Sequence, residues 1–365
     1  MKTKEHKVLP TLRIGDLEIY PPIIQGGMGV RVSRSGLASA VANTGCVGVI
    51  ASVCLGDFEH LPPSKFVEVN QQALRDEIRK ARKLSNGIIG VNIMVALTNY
   101  NSLVIASLEE GADLIISGAG LPFELPKFVT PSQKTKLIPI VSSARAFNVI
   151  AQRWLRRYNR LPDAVVVEGP MAGGHLGFAF DDVIAGTTPK LEDIIVDVVA
   201  AAKAISPEKL IPVIAAGGVF YGADIVKFIN LGASGVQMAT RFVCTDECDV
   251  DDNFKQMYLR STKDDITIVR SPVGMPGRVF RNEFVDKVKH GDTAEKYCTF
   301  KCLKTCNPKA IPYCISKVLS NAAAGNLDAG FVFTGANGWR CNEIIPVKTL
   351  VQKLIDEADV VLNPA

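Results

Sequence analysis

The sequence lacks the excess of positive charge that a nucleic-acid-binding protein needs. Its 365 residues contain 41 Lys and Arg against 37 Asp and Glu, which gives a net charge of +4. Proteins that bind nucleic acid through its phosphates usually present a clustered positive surface. The nearly balanced charge therefore argues against a nucleic-acid partner.

Long apolar runs are absent as well. No stretch of about 18 apolar residues occurs, so we expect no membrane-spanning helix. The N-terminal segment, MKTKEHKVLPTLRIGDLEIY, is charged and has no apolar core of the kind found in a secretory signal. Together these absences predict a cytoplasmic protein that does not associate with a membrane.

Cysteine is too unevenly distributed for a disulfide framework. The chain has nine Cys, and four of them fall between Cys298 and Cys314. An odd total with one local cluster favours a reducing compartment and a metal site. With 47% apolar and 21% charged residues, the chain is typical neither of disordered nor of fibrous proteins.

What the sequence does have is a regular alternation of short apolar runs with amphipathic stretches, from residue 21 to about 245. The runs are almost continuously apolar, as is typical of parallel strands buried on both faces. The predicted strands are Pro22–Gln25, Val47–Ser52, Ile88–Met94, Asp113–Ser117, Leu137–Ser142, Ala164–Glu168, Pro212–Ala216 and Gly235–Ala239. The predicted helices are Ser35–Asn43, Gln71–Leu84, Asn101–Glu110, Ala144–Tyr158, Leu191–Ile205 and Ala223–Asn230. Eight strands with helical crossovers predict an α/β fold, the TIM (β/α)8 barrel.

An open, doubly wound sheet is the alternative arrangement of such units. It would need a glycine fingerprint after the first strand and an acidic residue at the end of the second. The first strand is followed by GGMG and the second reads VGVIASV, so neither feature is present. The barrel is therefore preferred.

The alternation changes after Thr245. Residues 246–252 are predicted to form an acidic surface loop. The elements predicted beyond it are a strand at Asp265–Val269 and helices at Ile315–Ala323 and Val347–Glu357. We therefore predict a barrel core over residues 1–245 and a C-terminal extension over residues 246–365, which packs on the barrel and carries the cysteine cluster.

The ends of the last two barrel strands favour a phosphate site. In barrels of this kind the active site lies at the C-terminal ends of the strands, with a phosphate near strands seven and eight. Strand seven ends in Gly217 and Gly218, which let backbone N–H groups approach an anion, although tight turns alone would also explain them. The matching residues of strand eight are Gln237, Met238, Ala239 and Thr240.

Three other barrel strands supply candidate cofactor contacts. The glycine-rich end of the first strand leaves room for a flat ring; its residues are Gln25, Gly26, Gly27 and Met28. Asn92 lies in an apolar strand, and its amide must meet either a cofactor edge or a neighbouring backbone. Glu168 could bind a ribityl hydroxyl, or it could be a buried carboxylate that turn amides satisfy.

The loop after strand six holds the best catalytic candidate. His175 follows Gly173 and Gly174, so its imidazole can move against a substrate as a general acid or base. The other histidines stand in polar, proline-rich or charged segments and are expected to be solvated; they are His6, His60 and His290.

The four clustered cysteines form the second candidate site. Their pattern is Cys298-x3-Cys302-x3-Cys306-x7-Cys314. Four thiolates suit an iron–sulfur cluster or structural zinc, and the x3 spacings favour [4Fe-4S]. The alternative is four buried thiols, three of them on one helical stripe. The remaining five are interpreted as ordinary small apolar residues: Cys46, Cys54, Cys244, Cys248 and Cys341.

Taken together, the barrel motifs resemble the nitronate monooxygenase (2-nitropropane dioxygenase) family, which includes flavin-dependent enoyl-acyl-carrier-protein reductases. The matching segments are Pro22–Gly29, Gly90–Ile93, Glu168–Gly177, Ala215–Gly218 and Gly235–Phe242. The resemblance implies bound FMN, with its ring over the turn at residues 26–29 and its phosphate at the loops after strands seven and eight. It also implies that His175 is catalytic and that Asn92 and Gln237 contact FMN.

The C-terminal segments resemble one branch of that family, the FMN- and iron–sulfur-dependent acyl-carrier-protein dehydrogenase/isomerases. The segments are Ser271–Arg278, the four cysteines with Tyr313–Ile315, and Phe333–Gly338. The resemblance implies an oxidoreductase of acyl thioesters. Two alternatives stay open: a nitronate monooxygenase that uses O2, and a non-catalytic flavin or iron–sulfur redox sensor. The expected partners are a small-molecule or acyl-carrier-protein-bound substrate, with homodimer formation left open.

Overall fold

The computed structural model describes residues 8–57, 62–130, 132–292, 298 and 300–364. The strands within these residues are Leu12–Ile14 (β1), Leu17–Ile19 (β2), Ile23–Gln25 (β3), Gly48–Ala51 (β4), Ile89–Met94 (β5), Leu114–Gly118 (β6), Lys136–Val141 (β7), Val165–Glu168 (β8), Gly174–His175 (β9), Val213–Ala216 (β10), Gly235–Met238 (β11), Ile266–Arg270 (β12) and Pro276–Phe280 (β13).

The α-helices in the same part of the chain are Ser35–Ala42 (α1), Phe66–Leu84 (α2), Tyr100–Glu109 (α3), Ala144–Tyr158 (α4), Phe180–Ala185 (α5), Leu191–Ile205 (α6), Gly222–Asn230 (α7), Thr240–Val243 (α8), Asp252–Arg260 (α9), Glu283–Lys289 (α10), Ile315–Ala323 (α11) and Val347–Leu362 (α12). Short 3-10 helices lie at Pro63–Lys65, Leu125–Phe128, Lys263–Asp265 and Gly338–Arg340.

Eight parallel strands form a barrel in the order β3-β11-β10-β8-β7-β6-β5-β4. The first and last strands of this order, β3 and β4, meet through Val47 and close the sheet into a barrel. The N–H of Val47 donates to the Ile23 carbonyl at 3.0 Å, and the N–H of Gln25 donates to the Val47 carbonyl at 2.9 Å. The predicted (β/α)8 barrel is thereby confirmed, and the open sheet is excluded.

Each of the eight predicted barrel strands overlaps an observed one. These strands are almost entirely buried, because helices cover the outside of the barrel and side chains of the strands fill its interior. The inner layer comes from alternate strand positions, such as Val49, Ile116 and Ile214. The β1–β2 hairpin adds Leu12 and Ile19 to the same cluster and so joins the inner core.

The last helix of the chain completes the helical ring of the barrel. Helix α8, directly after the eighth barrel strand, is very short, whereas α12 packs against α7 and α1. The junctions on either side meet: the N–H of Ile345 donates to the Cys244 carbonyl at 3.3 Å, and the N–H of Asp246 donates to the Ile345 carbonyl at 3.2 Å. The chain therefore leaves the barrel after Thr245 and returns to it at Ile345, at one place. The predicted division at residue 245 assigns α12 to the C-terminal extension, whereas this helix packs on the barrel.

The acidic loop after this junction is used structurally. Asp249 accepts backbone N–H groups at the start of α1, at 2.9 to 3.1 Å. Glu247 accepts the N–H of Val347 at 2.9 Å, at the start of α12. Carboxylates at helix N-termini satisfy N–H groups that have no partner within the helix. The loop thus caps two barrel helices, where the sequence predicted only a surface loop.

A three-stranded antiparallel sheet connects the extension to the barrel loops. β13 lies between β12 and β9, and Gly277 pairs with His175 across the β13–β9 ladder. The loop after the sixth barrel strand is therefore part of a sheet that the extension builds. Among the described helices, none combines the length and the apolar character needed to cross a bilayer.

Candidate active site

A cavity of about 240 Å³ lies at the C-terminal ends of the barrel strands. Its two walls come from different parts of the chain. The barrel wall includes Gly26, Gly27, Met28, Asn92, Glu168, Gly173, Gly174, His175, Gly217, Gly218, Gln237, Met238, Ala239 and Thr240. The extension wall includes Phe254, Tyr258, Val273, Leu303, Ile315, Ser316, Leu319, Phe333, Thr334, Gly335 and Asn337.

The structure thus brings together the catalytic and cofactor-binding candidates that the sequence suggests, with one exception. Gln25 is fully buried inside the barrel wall and does not line the cavity. Its Oε1 accepts the N–H of Val49 at 2.9 Å, and its Nε2 donates to the Gly26 carbonyl. The Gln25 amide therefore links β3 to β4 and is used structurally.

At Gly27 the backbone passes close to the side chain of Asn92, and this contact shapes the barrel wall. A Cβ at this position would lie 2.4 Å from the Cβ of Asn92, so only glycine fits. At Gly26 the nearest atom to such a Cβ, the Ala239 Cβ, is 3.4 Å away. The first strand end is therefore flat beside Asn92, as a planar ring requires.

The turn after the seventh barrel strand has a conformation that favours glycine at two consecutive positions. Gly217 and Gly218 have φ values of +95° and +87°, a region that favours glycine. Nδ2 of Asn337 donates to the Gly218 carbonyl at 2.7 Å, which fixes the turn from the extension side. Thr240 lines the same cavity at the start of α8.

The polar groups of the cavity fit a flavin better than a highly charged ligand. Oε1 of Gln237 is buried and has no hydrogen-bond partner in the part of the chain that the structure describes. Such a group usually has a partner in the working protein. Among the described lining residues none is a lysine or an arginine. A phosphate here would depend on backbone N–H groups and on the Thr240 hydroxyl.

His175 is held from three sides. Its Nε2 lies 2.6 Å from Oγ of Ser271, and its ring meets Phe333 edge to face with centroids 5.0 Å apart. The β9–β13 ladder fixes its backbone. Burial lowers the pKa of His175 to about 4, so the imidazole is neutral near pH 7.

The loop that leads to His175 is held by a buried arginine. Nη1 of Arg278 donates to the carbonyls of Pro170 and Ala172, at 2.7 and 2.5 Å. Burial lowers the pKa of Arg278 to about 10. Because Arg278 stands next to Gly277 on β13, one strand positions both the loop and the histidine.

Glu168 is the only carboxylic residue among the described residues that line the cavity. Burial raises its pKa to about 7. The carboxyl group is therefore partly protonated near neutral pH and can donate a hydrogen bond to a bound ligand as well as accept one.

The cysteine candidates are arranged differently from the prediction. The Cys302 sulfur lies 3.2 Å from Oγ of Ser316, and the Cys54 sulfur lies 3.5 Å from the same oxygen. A hydrogen bond from the Cys54 thiol is the largest cause that lowers the pKa of Cys302 to about 6. Cys54, interpreted from the sequence as an ordinary apolar residue, thus belongs with Cys302 and Ser316.

The described residues do not confirm a metal site at the four predicted ligands. Burial first, and then the charges of Cys302, Cys298 and Cys314, raise the pKa of Cys306. However, no group of three or more His, Cys, Asp or Glu that could hold a metal ion occurs among the described residues. The predicted iron–sulfur or zinc site is not supported; its residues are Cys298, Cys302, Cys306 and Cys314.

The remaining histidine predictions have separate outcomes. His290 is exposed, and its Nδ1 lies 2.7 Å from the Asp286 carbonyl. His6 and His60 lie outside the described residues.

Sequence reasoning missed most of the extension wall. The segments Ser271–Arg278 and Phe333–Gly338 carried the family resemblance, but no role in the site was assigned to them. Ser271 and Phe333 contact His175 directly. Apart from that resemblance, the sequence signal was the clustering of Gly in both turns, with Pro and Ser in the first, which is common in loops without any function.

Comparison with known proteins gives a family match over nearly the whole chain. The model of the family described as nitronate monooxygenase matches residues 11–357. One relative is the (3aS,4S,5R,7aS)-5-hydroxy-7a-methyl-1-oxo-octahydro-1H-indene-4-carboxyl-CoA dehydrogenase of Mycobacterium tuberculosis. The two chains are 30% identical over 279 residues, and the alignment covers 76% of this chain and 68% of that protein.

Two further similarities extend this picture. A probable nitronate monooxygenase of Staphylococcus saprophyticus is 25% identical over 310 residues, covering 78% of this chain and 82% of that protein. The structure of FabK from Thermotoga maritima superimposes with a TM-score of 0.73 at 27% identity, covering 96% of this chain and 97% of that one.

Proposed function

The chain belongs to the nitronate monooxygenase family, and on that premise we propose that it is an FMN-dependent oxidoreductase of acyl thioesters. Bound FMN would supply the two-electron exchange with carbon that amino-acid side chains cannot perform. The protein would bind the flavin and the thioester, exclude water and move a proton.

The barrel wall supports the flavin half of the proposal. The flat turn at Gly27 and the amide of Asn92 would hold the ring, and the unpartnered Oε1 of Gln237 would accept a hydrogen bond from it. The turn at Gly217 and Gly218 would hold the phosphate.

The observation that carries the substrate half is the apolar extension wall that faces His175. Val273, Leu303, Ile315 and Leu319 line the cavity on this side, beside Phe254. An apolar wall of this extent fits an acyl chain, because burial of each methylene group stabilises the complex. A small alkyl nitronate would fill little of it.

The outer surface of the same wall supports a phosphorylated carrier. No Asp or Glu occurs from residue 298 to residue 327. The same stretch contains four exposed lysines, which are Lys301, Lys304, Lys309 and Lys317. Such a surface attracts the phosphates of coenzyme A or of a phosphopantetheine arm. The relative named as a CoA dehydrogenase points to the same class of substrate.

His175 would move the proton. A neutral imidazole has a lone pair that can accept the proton α to the thioester carbonyl, and the resulting imidazolium can return it. The proton becomes more acidic as negative charge spreads onto the carbonyl oxygen. The carboxyl group of Glu168 would donate a hydrogen bond to the cofactor or to the substrate.

The test is to incubate the protein loaded with oxidised flavin with saturated medium-chain acyl-CoA and acyl-carrier-protein thioesters, and the dithionite-reduced protein with the α,β-unsaturated ones, and to follow the acyl chain by mass spectrometry. We expect a change of two hydrogens per chain. No change on any thioester, together with rapid O2 uptake on propionate nitronate, would refute the proposal.

Nitronate oxidation is the second candidate, and the staphylococcal relative named as a probable nitronate monooxygenase favours it. In this reading His175 would act on the carbon that bears the nitro group. The non-catalytic redox sensor has no comparable support, because the family consists of oxidoreductases.

A further inference from the structure

The turn between β12 and β13 holds one serine rigidly against the histidine of the cavity. The N–H of Ser271 donates to the Met275 carbonyl at 3.0 Å, and the N–H of Gly274 donates to the Ser271 carbonyl at 2.9 Å. Ser271 is only 6% exposed. Its backbone is therefore fixed, and its hydroxyl has little freedom to turn elsewhere.

The hydroxyl oxygen of Ser271 meets the imidazole of His175 at Nε2, at 2.6 Å. It also accepts the N–H of Val273, at 3.4 Å. A serine oxygen has two lone pairs, so it can accept from both N–H groups at once. His175 lines the cavity and Ser271 does not, which leaves Nδ1 as the nitrogen that can meet a ligand.

We propose that Ser271 is a positioning residue for His175, accepting a hydrogen bond from Nε2–H so that the lone pair of Nδ1 faces the substrate. The proposal rests on the function proposed above, in which His175 exchanges a proton with carbon α. When Nδ1 takes that proton, the C–H bond breaks, an N–H bond forms, and the electron pair stays on the substrate.

Ser271 should stabilise His175 most when the imidazole is protonated. A buried imidazolium is costly, because burial disfavours the charged form. A hydrogen bond from a charged donor is about twice as strong as one between neutral groups. The bond from Nε2–H to Ser271 therefore strengthens as the proton arrives, and it stabilises the transition state more than the ground state.

The same hairpin adds two contacts that keep this geometry. The pairing of Gly277 with His175 sets the distance between the histidine and β13. The guanidinium of Arg278 holds the carbonyls of Pro170 and Ala172 in the loop that leads to the histidine. A segment far along the chain thus fixes the orientation of a barrel-loop residue.

The first test is spectroscopic and needs no substrate. In the flavin-loaded protein labelled with 15N-histidine, we expect a downfield Nε2–H proton signal that His175→Gln abolishes. Ser271→Ala should move this signal upfield or lose it through exchange with water, whereas Ser271→Thr, which keeps the hydroxyl, should retain it. An Nε2–H signal that is the same in Ser271→Ala as in the parent protein would overturn the proposal.

The second test is kinetic. Ser271→Ala should lower kcat about tenfold to a hundredfold and leave KM within about twofold, because the lost bond is made to a charged group only during proton transfer. Ser271→Thr should restore most of kcat. A loss confined to KM, or none at all, would contradict the role.

A buried serine away from the cavity supplies the control. Ser107 is fully buried, and its hydroxyl donates to the Leu103 carbonyl within α3. Ser107→Ala should leave the His175 signal and kcat unchanged. If neither thioester nor nitronate is turned over, the proposed function fails, while the spectroscopic result still decides whether Ser271 holds Nε2.

Discussion

The two walls of the cavity differ in the kinds of residue that line them. The barrel wall holds seven of the eight glycines that line the cavity, among them Gly27 and Gly217, together with polar side chains such as Gln237 and with apolar ones such as Val30. The extension wall consists mainly of large apolar side chains, among them Leu319 and Phe333. One wall is shaped by backbone conformation, and the other by side-chain packing.

In the proposed function, this difference would assign the cofactor to one wall and the substrate to the other. Backbone shape is fixed by the strands and tolerates little change, which suits a constant cofactor. Packed side chains can be exchanged one by one, which suits a variable substrate. An aromatic cluster backs the extension wall: Phe331 lies 5.5 Å from Phe333 and 5.7 Å from Tyr313 between ring centroids. Changes in the two walls should therefore affect different measured quantities.

His175 stands where the walls meet, and its removal should have the largest effect. We expect His175→Gln to lower kcat by about 10²- to 10⁴-fold, the usual contribution of a general acid or base. Flavin content, measured by absorbance after gel filtration, should stay at the parent level. The exposed His290→Gln is the control, and full activity in His175→Gln would remove the acid/base role.

The pH dependence of stability tests the barrel wall at Glu168. Its folded-state pKa, about 7, lies above the ordinary value of 4.5. Between pH 4.5 and pH 7 the Glu168 carboxyl group holds a proton in the folded state that it has released in the unfolded state. The free energy of unfolding is therefore highest below pH 4.5 and falls as the pH rises to 7. The loss corresponds to about 3 kcal/mol.

Glu168→Gln cannot ionise and should escape this loss. Its advantage over the parent in free energy of unfolding should therefore grow between pH 5 and pH 8, as measured by urea titration of the flavin-free proteins. A constant difference across this range would mean that the carboxyl group titrates normally.

Gly27→Ala tests whether backbone shape holds the cofactor. The new Cβ would lie 2.4 Å from the Asn92 Cβ, and relief of such a clash costs about 2 kcal/mol. We expect the Kd for FMN, measured by fluorescence quenching, to rise about 30-fold. Gly26→Ala, with 3.4 Å to its nearest neighbour, should raise it far less. Equal effects at the two positions would contradict the model of a flat turn beside Asn92.

Leu319→Phe tests the extension wall and should have the smallest effect. The larger side chain narrows the cavity, so KM for long acyl thioesters should rise about tenfold, since pocket contacts of this size are worth about 1.4 kcal/mol. The Kd for FMN should not change. Leu362→Phe, at an exposed position, is the matched control. A shift in the Kd for FMN would break the separation of the two walls.

Much of the barrel could be predicted because its signals are local. Continuous apolar runs predicted the eight strands, and the strand ends pointed to Gly27 and Gly217 as residues of one rim. The β1–β2 hairpin was missed because its strands, Leu12–Ile14 and Leu17–Ile19, are too short for a periodic pattern.

The extension wall could not be predicted because its contacts are distant in sequence. Ser271 and His175 are 96 residues apart, and no periodicity connects them. The cysteines show the same limit: the spacing of the cluster suggested four ligands for one metal. That spacing did not indicate that the sulfurs of Cys302 and of Cys54, in the loop after β4, both meet the hydroxyl of Ser316. Spacing along a chain constrains geometry only where the segment is regular.

Thr245 and Ile345 pair with each other, so residues 246–344 have both of their ends at one place on the barrel. An insertion of this kind can change in length without opening the ring of strands, provided that its contacts with the barrel are kept. Those contacts include Glu247 and Asp249 at the starts of two helices and Asn337 at the turn of Gly218. Grafting the corresponding segment of a relative, with these three residues retained, would test whether the substrate preference follows the segment.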